Sequence, residues 1–331
     1  MAKFQKVWHS WGGWRFLIGV VLAAVLLFLA FRQANLQEML ATARQGHLPL
    51  LALALAMITA MWALRSLRWR ILLSAEKTIA PLTVFWGMAT GYLGNMLLPA
   101  RAGELIRSAL LGQKAQISKT YVLATALTER IADALALVLV AFVTLRQLGA
   151  AAGWLAAALN GMLVIGLIGA GFLFAAPRLE KALLAALGLL PLPQKLCTAL
   201  ANLAHRFLMG ARAFQHPRRA LGFAAFTAVI WLGDGLMASL VARAFQLNLT
   251  LPGALLLIAA LGLSSAVPST PGYVGVYQFI AVTVLVPLGF SQNQALTYIL
   301  AIQAANLLIC LVWGGLGLWQ LDALHVKVSD V

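Results

Sequence analysis

The chain has 331 residues, 62% hydrophobic and only 10% charged, with a mean hydropathy of +0.91. A soluble chain of this length cannot bury so much apolar surface, so the composition excludes a soluble enzyme and predicts a polytopic membrane protein. The formal net charge of +15 does not point to nucleic acid, because Lys and Arg gather in short segments between apolar runs, as membrane topology requires.

Lys3, Lys6 and Arg15 precede the first apolar run, 16–31. That run ends Phe28-Leu29-Ala30-Phe31-Arg32, without a small-x-small cleavage site, so an uncleaved first span is predicted rather than a signal peptide. Further runs fall at 48–64, 79–100, 131–145, 153–176, 220–242, 252–267, 273–290 and 295–320. Several are long enough to cross a hydrocarbon core of about 30 Å. Two interruptions stand out, Pro99 to Gly103 and Pro268 to Gly275.

Placing the N-terminus in the cytoplasm, and letting each interrupted region enter and leave by one side, puts 17 of the 24 Lys and Arg residues on the cytoplasmic side. Arg65, Arg68, Arg70 and Lys77 are among them. The other side holds Arg32, Arg44, Arg146 and Arg243, so the asymmetry supports this topology. The predicted fold is an all-α bundle in one membrane domain, residues 1–331, with about seven spans and two broken hairpins. Its first half is 16–176, with a charged hairpin at 79–112. Its second half is 220–320, with a hairpin at 251–290. Span, hairpin, span in each half, running in opposite directions, has the form of an inverted repeat whose breaks meet near the midplane. Ordinary spans joined by a tight turn are the alternative for 252–290. Residues 177–219 interleave Arg178, Lys181, Lys195, Arg206 and Arg212 with Leu, Ala and Phe. They read as an amphipathic connector on the cytoplasmic interface, its basic face toward anionic headgroups.

The charges within the apolar runs are Arg101, Glu104, Arg107, Glu129, Arg130, Asp133 and Asp234. Seven charges facing lipid would cost about 18–25 kcal/mol, so they must face one another or water. Arg101, Glu104 and Arg107 are three apart, as are Arg130 and Asp133, and Glu129 and Asp133 are four apart, so each pair shares a helix face. Asp234 stands between Gly233 and Gly235 and needs a cation from another helix. Two readings follow: an ion-pair network locking hairpin to helix, or a polar cavity for an anion. Arginine suits phosphate through its planar fork, and the helix start at Gly103, near Asn95, adds backbone N–H groups. The second break supplies Ser269, Thr270 and Gly272, with hydroxyls and exposed backbone. The histidines lie outside the spans, the two cysteines, Cys197 and Cys310, are far apart, and no GxxxxGK[ST] loop occurs. No metal, cofactor or nucleotide site is therefore expected, and no catalytic nucleophile is evident.

The pattern Asn95…Leu98-Pro99-Ala100-Arg101-Ala102-Gly103-Glu104…Arg107, followed by Glu129-Arg130…Asp133, resembles the first signature of the lysylphosphatidylglycerol synthase transmembrane-region family. Pro268-Ser269-Thr270-Pro271-Gly272-Tyr273-Val274-Gly275 resembles its second. The resemblance covers about 16–320 and implies a flippase-like protein of the bacterial or archaeal cytoplasmic (inner) membrane, tied to aminoacylated phospholipids, hopanoids or polyprenyl-linked glycolipids. The last predicted span ends shortly before Val331, so the soluble aminoacyl-transferase domain of full-length synthases, and its activity, are not expected here. Gln278 and Gln303 stand where similar proteins commonly carry a glutamate and an arginine.

The sequence thus predicts a lipid translocator whose ligand is an anionic headgroup. Arg101 and Arg107 would touch phosphate, Glu104, Arg130 and Asp133 would hold them, and Asp234 would balance charge. A non-catalytic scaffold for a lipid-synthesis enzyme, docking through 177–219, is the alternative. A cysteine at Ser269 should label from the non-cytoplasmic side in oriented vesicles; labelling from the cytoplasmic side alone would contradict the topology.

Overall fold

The computed structural model describes residues 24–98, 102–149, 194–265 and 271–321, with Val21 and scattered positions between 161 and 185. Residues 16–20, 22 and 23 of the first run and most of the run 153–176 lie outside the described residues, as do Arg101, Ser269 and Thr270. No strand occurs among the described residues, in keeping with an all-α membrane bundle. In lipid the helix is favoured because it satisfies its backbone groups internally.

A short helix, α1 (Leu36–Arg44), is capped by the Asn35 side chain, which accepts from the amides of Gln37 and Glu38. It leads into α2 (Leu48–Leu73), 26 residues long, or about 39 Å at 1.5 Å per residue. This helix runs nine residues beyond the apolar run 48–64 and carries Arg65 and Arg68 with it. Then come α3 (Pro81–Leu97), α4 (Gly103–Ala115) and the 29-residue α5 (Lys119–Gln147). The connector contains α6 (Gln194–Ala211), and it is followed by α7 (Pro217–Ala244), α8 (Leu251–Ser264), α9 (Val276–Leu285) and α10 (Gln292–Gln320). By length and composition α2, α7 and α10 are long and apolar enough to cross a membrane. α5 is as long as α10 but bears Glu129, Arg130 and Asp133 in its middle.

Neither α3 nor α4 is long enough to span alone, at about 26 and 20 Å. They fold back on each other through glycine. A Cβ on Gly91 would lie 2.8 Å from Arg107 Cδ, and one on Gly94 2.8 Å from the Cα of Gly103. A Cβ on Gly103 would collide with the carbonyl oxygen of Gly91. With Gly87 against Leu111, the contacts descend from 111 to 103 on α4 as they ascend from 87 to 94 on α3, so the two helices are antiparallel. Small residues let two backbones meet where no hydrophobic drive exists. Both outer ends of this hairpin are tied at one end of the bundle: Arg70 Nε donates to Ile79 O (2.6 Å) and Lys77 Nζ to Ala115 O (2.8 Å).

The second hairpin, α8 and α9, is tied at the opposite end. Thr250 caps α8 immediately after α7, and α10 begins beside α1, where Asn35 N donates to Asn293 Oδ1 (2.8 Å). Its turn holds three positive φ angles, at Gly272 (68°), Tyr273 (57°) and Gly275 (88°). The two breaks meet, with Gly272 beside Met96.

The helix pairing repeats across the bundle. α2 and α7 lie antiparallel: His47 N donates to Ala244 O (2.9 Å) at one end, and Gly222 lies beside Ile71 at the other. α10 packs on α3 through Gly314 and Gly317, which sit against Leu93 and Thr90. In the same manner α8 packs on α5, with Gly262 against Leu137. Two large apolar cores result, beside two smaller clusters. One gathers Ile58, Trp62, Leu257, Leu285, Tyr298 and Ile299, and the other gathers Trp69, Leu72, Met88, Leu111, Val122 and Phe223. The connector helix α6 packs along α5, where Gly210 meets Ala124 and Thr128.

Gly103→Val should abolish a folded, monodisperse protein, because backbone cannot yield to the new side chain. Gly94→Ala should cost about 1–3 kcal/mol as an overpacking change. Gly315→Ala, which meets nothing within 4 Å, should melt like wild type. Thermal unfolding of detergent-purified variants reads all three.

Candidate functional site

The charges lie between the two apolar cores and pair in alternating order. Arg68 is 1% exposed. Its fork takes Asp133 with two bonds (Nη1–Oδ1 2.6 Å, Nη2–Oδ2 2.9 Å), while Nη2 also reaches Glu129 Oε1 (3.0 Å) and Nη1 reaches Thr227 (3.1 Å). The other oxygen of Glu129 faces Arg107 Nη2 (3.4 Å), and Arg107 Nη2 pairs with Glu104 Oε2 (2.5 Å). Glu104 Oε1 then accepts from Arg130 Nε and Nη2 (3.0 and 2.9 Å) and from Asn95 Nδ2 (3.3 Å). Arg107 stacks on Trp69, its guanidinium carbon 4.3 Å from the ring centroid, and Arg68 on Phe223 at 4.9 Å. Beside this chain stands a second pair, Arg65 with Asp234. Four guanidinium groups thus meet four carboxylates, and the formal charge of the described set is zero.

Helix geometry makes these pairings available. Arg65 and Arg68 lie on the buried face of α2 with Trp62, Trp69 and Leu72. Glu129 and Asp133 project one turn apart from α5. Glu104 occupies the first turn of α4, where the helix dipole favours a carboxylate. Arg107 lies one turn on, beneath Gly91, where no side chain obstructs it.

A cavity of about 1110 Å³ opens between the halves. Its charged wall is Arg65, Arg130, Asp133 and Asp234, with Tyr92 close to both arginines. Asn95, Gly272, Tyr273, Tyr277, Gln303 and Asn306 form a second, uncharged polar wall. The remainder is mostly apolar and includes Leu123, Leu127, Leu137 and Leu200. The volume exceeds the several hundred Å³ common for small-molecule sites.

Of the residues singled out from sequence, Asn95, Arg130, Asp133, Asp234 and Gly272 line the cavity. Glu104 and Arg107 do not: Arg107 is 1% exposed and sits within the network. Arg101, Ser269 and Thr270 lie outside the described residues. The cation required by Asp234 is Arg65. Arg130 turns to Glu104 rather than to Asp133 on its own helix. Arg65 and Arg68, counted as cytoplasmic from sequence, are instead the partners of Asp234, Asp133 and Glu129. The signal was present in the helical spacing of Trp62, Trp69 and Leu72, which continues past both arginines. Gln278 and Gln303 do pair: Gln278 Nε2 donates to Gln303 Oε1 (2.5 Å), and Gln303 Nε2 to Gly272 O (3.2 Å). Among the described residues no three His, Cys, Asp or Glu side chains gather as a metal ion would need.

Two guanidinium groups face the cavity with donors uncommitted. Arg130 binds Glu104 through Nε and Nη2, which leaves Nη1, and its side chain is 32% exposed against 1% for Arg68 and Arg107. Arg65 meets Asp234 through Nη2. The network is thus sealed in its middle and open at Arg130 and Asp133, and it offers N–H donors to an acceptor-rich anion.

Comparison with known families gives one match: the family described as the lysylphosphatidylglycerol synthase TM region, over residues 16–314. No curated protein and no solved structure matches the chain.

Arg68→Leu should destabilise strongly, by about 3–5 kcal/mol, because it strands Asp133 and Glu129 without their partner. Arg130→Gln should cost clearly less, since Glu104 keeps Arg107. Chemical or thermal unfolding in detergent gives the order, and equal losses would contradict the network.

Proposed function

We propose that the chain, which belongs to the lysylphosphatidylglycerol synthase transmembrane-region family, moves a lipid with an anionic headgroup across the cytoplasmic membrane. The observation that carries this reading is the pair of guanidinium groups, Arg65 and Arg130, with N–H donors left over on the wall of a large and mostly apolar cavity. A phosphate between them would receive charge-assisted hydrogen bonds without disturbing any existing ion pair. Arg65 and Arg130 therefore take the phosphate-contacting roles. Glu104, itself paired with Arg107, holds Arg130, and Asp234 holds Arg65.

The topology supports the same reading. Two short-helix hairpins tied at opposite ends, with breaks that meet at the cavity, have the form of a transporter built from inverted units. We read both hairpins as re-entrant. The end carrying Arg70, Lys77, Lys114, Arg218 and Arg219 faces the cytoplasm on the positive-inside rule, as does the N-terminus. The lipid enters with its headgroup toward Arg65 and Arg130 and its tails against the apolar wall. Nothing in this scheme requires the chain to make or break a covalent bond.

The test is scrambling of a fluorescent phosphatidylglycerol in vesicles carrying the purified protein, read by dithionite quenching. Arg130→Gln combined with Arg65→Gln and Asp234→Asn, which leaves no lone charge on α2 or α7, should slow exchange at least about tenfold, as loss of one charge-assisted bond would. The melting temperature should stay close to wild type. Undiminished exchange would remove the proposed roles.

A further inference from the structure

The cavity is open toward one end of the bundle and closed toward the other. On α5 its lining begins at Thr120, the second residue of the helix, and continues through Leu127 and Ile131, which are 45% and 41% exposed. That end is the one where Arg70 and Lys77 tie the first hairpin. Toward the α1 end the lining stops short. It reaches Ile58 on α2 and Ile302 on α10, each ten residues inside its helix, and Met237 on α7 and Ile258 on α8, each seven residues inside. About 10–15 Å of packed chain therefore separates the cavity from that end. Ala238, Val241, Leu257, Ala295, Tyr298 and Ile299 lie in this layer, each at most 1% exposed.

A polar tie crosses the layer: Tyr298 Oη on α10 donates to Ala238 O on α7 (2.9 Å). The other half of the chain holds its counterpart, where Tyr121 Oη on α5 donates to Leu72 O on α2 (2.9 Å). In each unit a tyrosine from the first two turns of the last span takes a carbonyl from the last two turns of the first span. The units run in opposite directions, so the two pins stand at opposite ends of the bundle. Such a pin can be broken and remade. Its acceptor is a helix carbonyl, whose second lone pair takes the hydroxyl, so release strands no backbone group. Ala238 and Ala295 give the layer small surfaces that do not interlock. Ser239, at the same height on α7, is buried with no partner for its hydroxyl, a cost that water entering a parted layer would relieve. We propose that this layer is the exit gate of the cavity and that the Tyr298–Ala238 hydrogen bond is its latch. The structure is then the state open to the end carrying Arg70 and Lys77, which is cytoplasmic on the reading above. The gate rests on that lipid-moving reading, because a headgroup held between Arg65 and Arg130 must cross this layer to reach the far side.

The experiment reads thiol labelling from each side of the membrane. Ile302→Cys places a thiol on the cavity floor of the full chain, with Cys197→Ala and Cys310→Ala removing the native thiols, and an impermeant maleimide is added to right-side-out or inside-out vesicles. Labelling should be fast from the cytoplasmic side and slow from the far side. Tyr298→Phe, which keeps the ring, should raise the slow rate about three- to tenfold, as loss of one buried hydrogen bond would, and leave the fast rate unchanged. Tyr121→Phe removes the matching bond at the other end and should leave the slow rate where it is, which separates a gate from general loosening. Far-side labelling as fast as cytoplasmic labelling overturns the closed layer, and that comparison needs no change at Tyr298. A slow rate unmoved by Tyr298→Phe, or raised equally by both tyrosine variants, overturns the latch. Phosphatidylglycerol exchange by the same proteins keeps the two readings apart. Exchange with no effect of Tyr298→Phe on labelling overturns the gate alone, whereas no exchange by wild type removes the transport reading and the gate with it.

Discussion

Arg68, clamped between Asp133 and Glu129, is the interaction on which the rest depends. One side chain from α2 there neutralises two carboxylates of α5, and Thr227 of α7 accepts from the same guanidinium. Remove it, and buried Asp133 stands without its cation while Glu129 keeps only the longer contact to Arg107, in a medium that penalises unpaired charge. The pairing therefore fixes how α2, α5 and α7 meet. Through Glu129 it extends to Arg107, and so to the hairpin of α3 and α4. The cavity takes its position from the place where this chain of charges runs out of partners.

Glycine does complementary work. Gly87, Gly91 and Gly94 present a side-chain-free face along α3, so Arg107 and Gly103 approach it directly. Without that face Arg107 could not stack on Trp69 while reaching both Glu104 and Glu129. Close backbone packing and charge pairing are thus two halves of one solution. The glycines admit the guanidinium, and the guanidinium holds the hairpin where lipid gives helices no hydrophobic reason to associate.

Much of this was legible in the sequence. The Pro and Gly breaks marked both hairpins, because a helix cannot pass them with its hydrogen bonds intact. The lone Asp234 announced a missing cation, and the spacing of Glu104 with Arg107 gave that pair correctly. The identities of Arg65 and Arg68 were not read, because apolar content falls after Leu64 and basic residues at the end of a span usually mark a loop. The continued helical spacing of Trp69 and Leu72 argues otherwise. Charge balance supplies a second clue, since the four acids within the runs exceed the three arginines assigned to them. The division between sealed and cavity-facing arginines was not legible at all. It depends on which face of α4 and α5 turns toward α2, a fact of tertiary packing that leaves no trace in local spacing.

The molecule therefore holds a structural ion-pair network whose edge, on the proposed function, is also the headgroup site. Its centre is buried and ion-paired, whereas its edge at Arg130, Arg65 and Tyr92 faces a largely apolar cavity. The most direct measurement is a cryo-EM map of the protein in nanodiscs rich in phosphatidylglycerol. The account predicts headgroup density between the guanidinium groups of Arg65 and Arg130, with tail density along Leu123 and Leu127. A map with lipid excluded from the cavity, or with both guanidinium groups turned away and sealed against protein carboxylates, would contradict it.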